Sequence, residues 1–301
     1  MFQLTANRQK SKVNANGGAY GDVDDDGDGQ GSRVMRSVAA ALLAVFFTAF
    51  LYGCAARPGG SVSGGNTADL ITESDEPENR RRARLRLELA SGYLENGQAS
   101  VALDEIKQAL IADPTFADGF NLRGLVYMRL NDLRLAEDSF KRALALNPRD
   151  ADVAHNYGWL LCQQARYPEG LRFFSQALAN PAYRSAAKSL MAQGVCQIQA
   201  GLKQEAELSL TQSYQLDAGN PLTGYNLANL LYSRGEFVKS QFYIRRLNNS
   251  ELANAETLWL GVKVERRLNN MEGSQQLATQ LRRRYAQSRE AALLEKGAFN
   301  E

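Results

Sequence analysis

The chain has 301 residues, a formal net charge of +2 and 44% hydrophobic residues. That balance offers no bulk attraction for nucleic acid. Only seven prolines, no long β-branched runs, and abundant Ala, Leu, Asn, Gln and Arg point to an all-helical protein. Residues 1–34 are polar and glycine-rich, without hydrophobic periodicity. They read as a disordered extension, or as sequence ahead of a true start at Met35. Asp22, Asp24, Asp26 and Gly27 imitate the opening of a calcium loop, but the twelfth position from Asp22 is Arg33, where the loop needs a bidentate glutamate. No metal is expected there.

Met35-Arg36 supplies a short positive segment, and Val38 to Phe50 is apolar. Leu51-Tyr52-Gly53-Cys54 ends it. Residues 35–53 resemble a bacterial lipoprotein signal, with Cys54 as the lipidated residue and Tyr52 bulkier than usual at its place. The alternatives are an uncleaved anchor or an ordinary secretory signal, and the apolar run is short for a comfortable span. The covalent lipid is the only cofactor expected. Two or more acyl chains on Cys54 would anchor the chain stably, which one would not. Ala55, rather than aspartate, follows Cys54; by resemblance to lipoprotein sorting in Gram-negative bacteria, that favours the periplasmic face of the outer membrane. Residues 54–79, first Gly/Ser/Pro-containing and then acidic, read as a flexible tether. Arg80, Arg81, Arg82, Arg84 and Arg86 follow, either a solvated first helical turn or a contact for an acidic lipid or partner.

From residue 80 to 290 the chain repeats. In Ala117–Asp150, Gly124, Tyr127, Ala136, Phe140, Ala143 and Pro148 stand at fixed offsets. In Ala83–Phe116 the same offsets hold Ala90, Tyr93, Ala102, Ile106, Ala109 and Pro114. A 34-residue period with small residues at helix crossings and proline just past a helix end is the tetratricopeptide signature. Ala151–Arg184 keeps Gly158, Phe174, Ala177 and Pro181; Ala187–Asn220 keeps Gly194, Ala206 and Leu210, two residues later than the period requires. Pro221–Ala253 holds Ala228 and a bulky Leu247, and a degenerate sixth repeat is placed at Asn254–Ala286 with Leu260-Gly261 on its first helix and Leu277 on its second. The expected fold is therefore all-α, a right-handed tetratricopeptide superhelical solenoid of about six repeats. Residues 291–301 are expected to fold back as a C-terminal tail.

First helices of such repeats line the concave face, and the i, i+4 spacing selects which residues look inward. The phase gives Leu87, Ser91 and Leu94; Asn121, Leu125 and Met128; His155, Trp159 and Cys162; Met191, Val195 and Ile198; Tyr225, Asn229 and Tyr232; and Leu258, Val262 and Glu265. The set is more apolar and aromatic than a solvated groove requires, which marks a protein-binding groove; the alternative is packing between neighbouring first helices. Asn121 and Asn229 both donate and accept, as a peptide backbone demands. His155 is the only histidine and has no metal-ligand pattern around it. No nucleophile elbow, H-E-x-x-H or phosphate loop occurs, so neither an enzyme nor a small-molecule substrate is expected. Cys162 and Cys196 stand 34 residues apart on adjacent first helices. They are a candidate disulfide outside the cytosol, the alternative being two half-buried thiols.

The lipobox, tether and repeats resemble the type IV pilus biogenesis lipoprotein family PilF/PilW. The segments carrying the likeness are Asn121-Leu122-Arg123-Gly124-Leu125-Val126-Tyr127, Asn147-Pro148 with His155-Asn156-Tyr157-Gly158-Trp159-Leu160-Leu161-Cys162, Asn226-Leu227-Ala228, and Leu258-Trp259-Leu260-Gly261 with Leu281–Arg284. The resemblance implies a pilotin that brings the secretin PilQ to the outer membrane and promotes its multimerisation, supporting pilus extrusion and twitching motility. By the same resemblance, the first repeats would take the partner. A second expectation from the same features is a scaffold lipoprotein for cell-wall or outer-membrane-protein assembly.

Overall fold

A helix that repeats every 34 residues cannot bury its apolar face alone; it needs a partner within the repeat and a neighbour beyond it. The computed structural model describes residues 75–300 and shows that solution. Six helix pairs follow one another: α1 Glu78–Glu95 with α2 Ala99–Ala112, α3 Ala117–Arg129 with α4 Leu133–Leu146, and α5 Ala151–Gln163 with α6 Tyr167–Leu178. Then come α7 Ala186–Gln199 with α8 Lys203–Leu216, α9 Pro221–Ser233 with α10 Phe237–Asn248, and α11 Ala255–Arg267 with α12 Met271–Arg284. A single helix, α13 Arg289–Glu295, closes the stack. The lipobox, Cys54 and the tether up to residue 74 lie outside the described residues. The first helix begins at Glu78, ahead of the expected boundary at residue 80.

Each first helix touches the first helix of the next repeat, whereas among the described residues second helices do not touch each other. First helices are thus crowded on the inner side and second helices splay outward, which curves the solenoid. Small residues permit the crowding. A Cβ on Gly124 would stand 2.5 Å from the fully buried Phe140 ring. At Gly170 it would meet Cys162 Sγ and the Gly158 carbonyl oxygen, both at 2.8 Å.

Local signals set the starts and turns. Asp132 and Asp150 accept from Leu135 and Val153 N–H at 3.0 Å, and Asn254 forms a capping box with Thr257. Asn220 and Ser288 cap α9 and α13 in the same way. The tight turn inside each pair needs one left-handed residue: Gly97, Asn131, Ala165, Gly201, Gly235 and Asn269 all have φ between 57° and 81°. Ala165 is the costly one, because its Cβ opposes that conformation.

Helix starts at Pro221, Ala255 and Arg289 are 34 residues apart, as are the turns at Gly235 and Asn269. The sixth repeat therefore runs from Ala255, one residue later than the sequence expectation. Val262 takes the place equivalent to Ala228: Ser240 Oγ donates to the Ala228 carbonyl, and Ser274 Oγ to the Val262 carbonyl. Gly261 is small for two neighbours, since its Cβ would collide with Asn248 of the preceding repeat and, at 2.9 Å, with Leu277 of its own. The expected tail is ordered as well. α13 occupies the place of a seventh first helix, and Ala291 and Leu294 bury against Leu258, Trp259, Val262 and Leu281.

Candidate protein-binding groove

Counting from Ala83, Ala117, Ala151, Ala187, Pro221 and Ala255, the fifth, ninth and twelfth residues of each repeat face the inner side. Leu87, Ser91, Leu94, Asn121, Leu125, Met128, Trp159, Met191, Val195, Ile198, Tyr225 and Tyr232 are half-buried, and Asn229 is exposed. Half-burial follows from the geometry: each side chain leans on the adjacent first helix and keeps one flank open. Asn156 Nδ2 donates to Asn121 Oδ1 at 3.0 Å, so a peptide would have to use the Asn121 amide N–H groups rather than its carbonyl.

Five expected groove positions are corrected. His155 is only 5% exposed. Its Nδ1 lies 2.8 Å from Ser189 Oγ, which lies 2.9 Å from the Tyr183 hydroxyl, and its ring meets the edge of Phe174 at 5.7 Å. Burial, with Lys188 nearby, lowers its pKa to about 4. Cys162 is buried too, bonded to Cys196 across a Cα–Cα distance of 5.8 Å and joining α5 to α7. In the sixth repeat, Leu258, Val262 and Glu265 are at most 1% exposed. The register found above puts Trp259, Lys263 and Arg266 on the inner side instead.

That correction changes the chemistry of the C-terminal half. The Lys263 ammonium lies over the Tyr232 ring at 5.3 Å and the Trp259 ring at 5.6 Å. Burial depresses its pKa. Arg266 stacks 3.8 Å from the centroid of Phe299, whose ring lies 5.4 Å from Trp259. The second residue of several repeats adds an acidic edge. Partial burial and then the Asp150 and Asp152 carboxylates raise the Asp118 pKa, and burial followed by Glu290 raises that of Glu256.

At the other end, Arg80, Arg84, Leu87, Ser91, Phe116 and Asp118 line an open depression of about 530 Å³. Arg80 bonds to Asp113 and lies over Phe116 at 4.8 Å. Burial alone would raise the Asp113 carboxyl; the Thr115 hydroxyl and N–H together with Arg80 outweigh it and hold the pKa low. Arg84 is drawn to Glu76 and Glu88 at 3.1 Å. The arginine cluster is therefore partly structural.

Glu265 holds the last two repeats together. Its carboxylate accepts from Arg245 at 2.7 and 3.1 Å, Gln241 at 2.9 Å and Asn270 at 2.7 Å. Burial opposes its charge, and these donors more than offset that, so its pKa is lowered. Among the described residues, no group of three or more His, Cys, Asp and Glu is placed to hold a metal ion.

Models of the tetratricopeptide repeat match residues 117–150, 139–172 and 158–221. The Pseudomonas aeruginosa type IV pilus assembly protein PilF is 27% identical over 231 residues, spanning 77% of this chain and 90% of that protein. The crystal structure of PilW, a type IV pilus biogenesis factor, superposes with a TM-score of 0.66 at 27% identity, covering 70% of this chain and 97% of that one. The Pseudomonas aeruginosa PilF structure gives 0.67 at 25% identity, over 73% and 100%. Sequence and fold agree over nearly the whole length of these relatives: the chain is similar throughout to the tetratricopeptide-repeat proteins PilF and PilW of type IV pilus biogenesis.

Proposed function

We propose that this protein is an outer-membrane lipoprotein that acts as the pilotin of the type IV pilus secretin PilQ, promoting its localisation and multimerisation. The observation that carries the reading is the match to PilF over 90% of that protein's length, joined to an inner face of half-buried Leu, Met, Val, Ile, Tyr and Trp side chains. Such a face gains free energy by closing over an apolar, extended partner segment, at about 25 cal/mol per Å² of apolar area removed from water. Lipid on Cys54 gives the solenoid its address on the periplasmic face, and the tether gives it reach. Holding the binding face beside the membrane raises the effective concentration of the secretin there. The role is binding without chemistry.

The test is removal of the gene. PilQ multimers should fall in the outer membrane, twitching should stop, and C54A should fail to restore either. Tyr225→Ala with Tyr232→Ala should weaken copurification with PilQ while leaving the protein membrane-bound. Normal multimers in the deletion strain would sink the pilotin reading.

A further inference from the structure

The two ends of the solenoid are finished differently. In the third and fifth repeats, counted from Ala151 and Pro221, the third, seventh and tenth residues pack against the preceding repeat. They are Val153, Tyr157 and Leu160 in the third repeat and Thr223, Leu227 and Leu230 in the fifth, all buried. The first repeat places Leu85, Leu89 and Gly92 at these positions. Leu85 is 49% exposed and Leu89 52%, and a Cβ built on Gly92 meets nothing within 4 Å. The surface has the form of an inter-repeat seat on which no repeat lies among the described residues. Isolated exposed leucines are ordinary; two leucines and a glycine in the register of a helix-packing face are not.

We infer that this N-terminal edge of α1 docks an acidic amphipathic helix of a partner protein, laid where the second helix of a preceding repeat would lie. Charge decides the flanks. Arg81 borders the leucine stripe on one side and Arg82 and Arg86 on the other. Arg81 and Arg82 are exposed and form no ion pair among the described residues, while Arg86 bonds to Glu105 at 2.8 Å. Glu78 at the start of α1 and Glu88, which is bonded to Arg84 at 3.1 Å, are the acidic exceptions beside this face. The bare glycine allows a helix backbone to approach closely, which a lipid surface does not require.

A second copy of the chain is a poor occupant. Its matching C-terminal edge is covered by α13, so the copies cannot stack head to tail. Pairing α1 with α1 would set the arginines against each other. The seat is also separate from the inner groove, so a partner can occupy both.

The probe is a synthetic amphipathic helix with Ala and Leu on one face and Glu on both flanks, titrated into the full chain by fluorescence anisotropy. It should bind, more weakly as salt rises. Binding should drop at least tenfold in Leu85→Asp with Leu89→Asp, and in Arg81→Glu with Arg82→Glu. Tyr225→Ala with Tyr232→Ala in the groove should leave it unchanged. Leu85→Ala with Leu89→Ala provides a milder pair, and helical circular dichroism verifies that every variant is folded. No binding, equal binding of a Lys-flanked helix, or unchanged affinity in the edge variants overturns the inference. So does a self-dimer in sedimentation that the edge variants dissolve, or an edge that binds phosphatidylglycerol vesicles but not the helix.

Discussion

Acidification tests where His155 sits. The ring is 5% exposed and bonded to Ser189, and its pKa lies near 4 rather than near 6.5. The unfolded chain takes up a proton near pH 6.5, whereas the folded one refuses it until about pH 4. The contribution is therefore intact above pH 6.5, falls between 6.5 and 4, and changes no further below 4. A gap of about 2.5 units at 1.36 kcal/mol each gives a loss of about 3 kcal/mol across that window. Because the chain has one histidine, a single imidazole proton resonance reports the folded pKa directly. Buried carboxylates such as Glu265 also lose stabilising charge as pH falls, so urea midpoints of wild type and His155→Leu must be compared at each pH. Ser189 keeps Tyr183 as a partner in that variant, and its stability should slope less between pH 6.5 and 4. A folded-state titration near 6.5, or identical slopes in the two proteins, would refute the burial argument and return His155 to the solvent face of the groove.

The Cys162–Cys196 bridge closes 34 residues; chain entropy assigns such a loop about 3–4 kcal/mol. Reducing it should lower the melting temperature by roughly 8–15 °C and broaden the transition as repeats three and four uncouple. The Cys162→Ala, Cys196→Ala protein should ignore reductant, and an unchanged melt after verified reduction would refute the estimate. Ala165→Gly relieves a φ of 59° and should stabilise by about 1 kcal/mol in urea denaturation; a loss of stability would show the turn relaxed without strain. Gly124→Ala drives a methyl to 2.5 Å from Phe140 and should cost about 1–3 kcal/mol by the same assay. A neutral result would mean that α3 and α4 separate freely.

The regular repeats were legible because steric demands recur at fixed offsets. Gly124 facing Phe140 and Gly158 facing Phe174 are the same crossing, and close helix approach admits few residue types there. The sixth repeat was misread by one residue because a glycine can be small for more than one neighbour. Gly261 faces Leu277 at the usual offset, yet it also makes room for Asn248 of the fifth repeat, a contact that no periodicity within its own repeat encodes. Better signals were present in the helix starts: Asn220, Asn254 and Ser288 are caps one period apart, and they also announced α13.

The sequence by itself determined the helix pairs, their turns and, in the first five repeats, the line of residues turned inward, because local sterics and a constant period suffice for those. Tertiary structure decided which of those residues meet solvent. The longer connection after α6 brings Tyr183 toward Ser189 and seals His155. Likewise, α13 and Phe299 cover the last first helix while nothing described covers Leu85 and Leu89 on the first. Burial is a property of what lies alongside, and a repeat's own residues do not specify its neighbour.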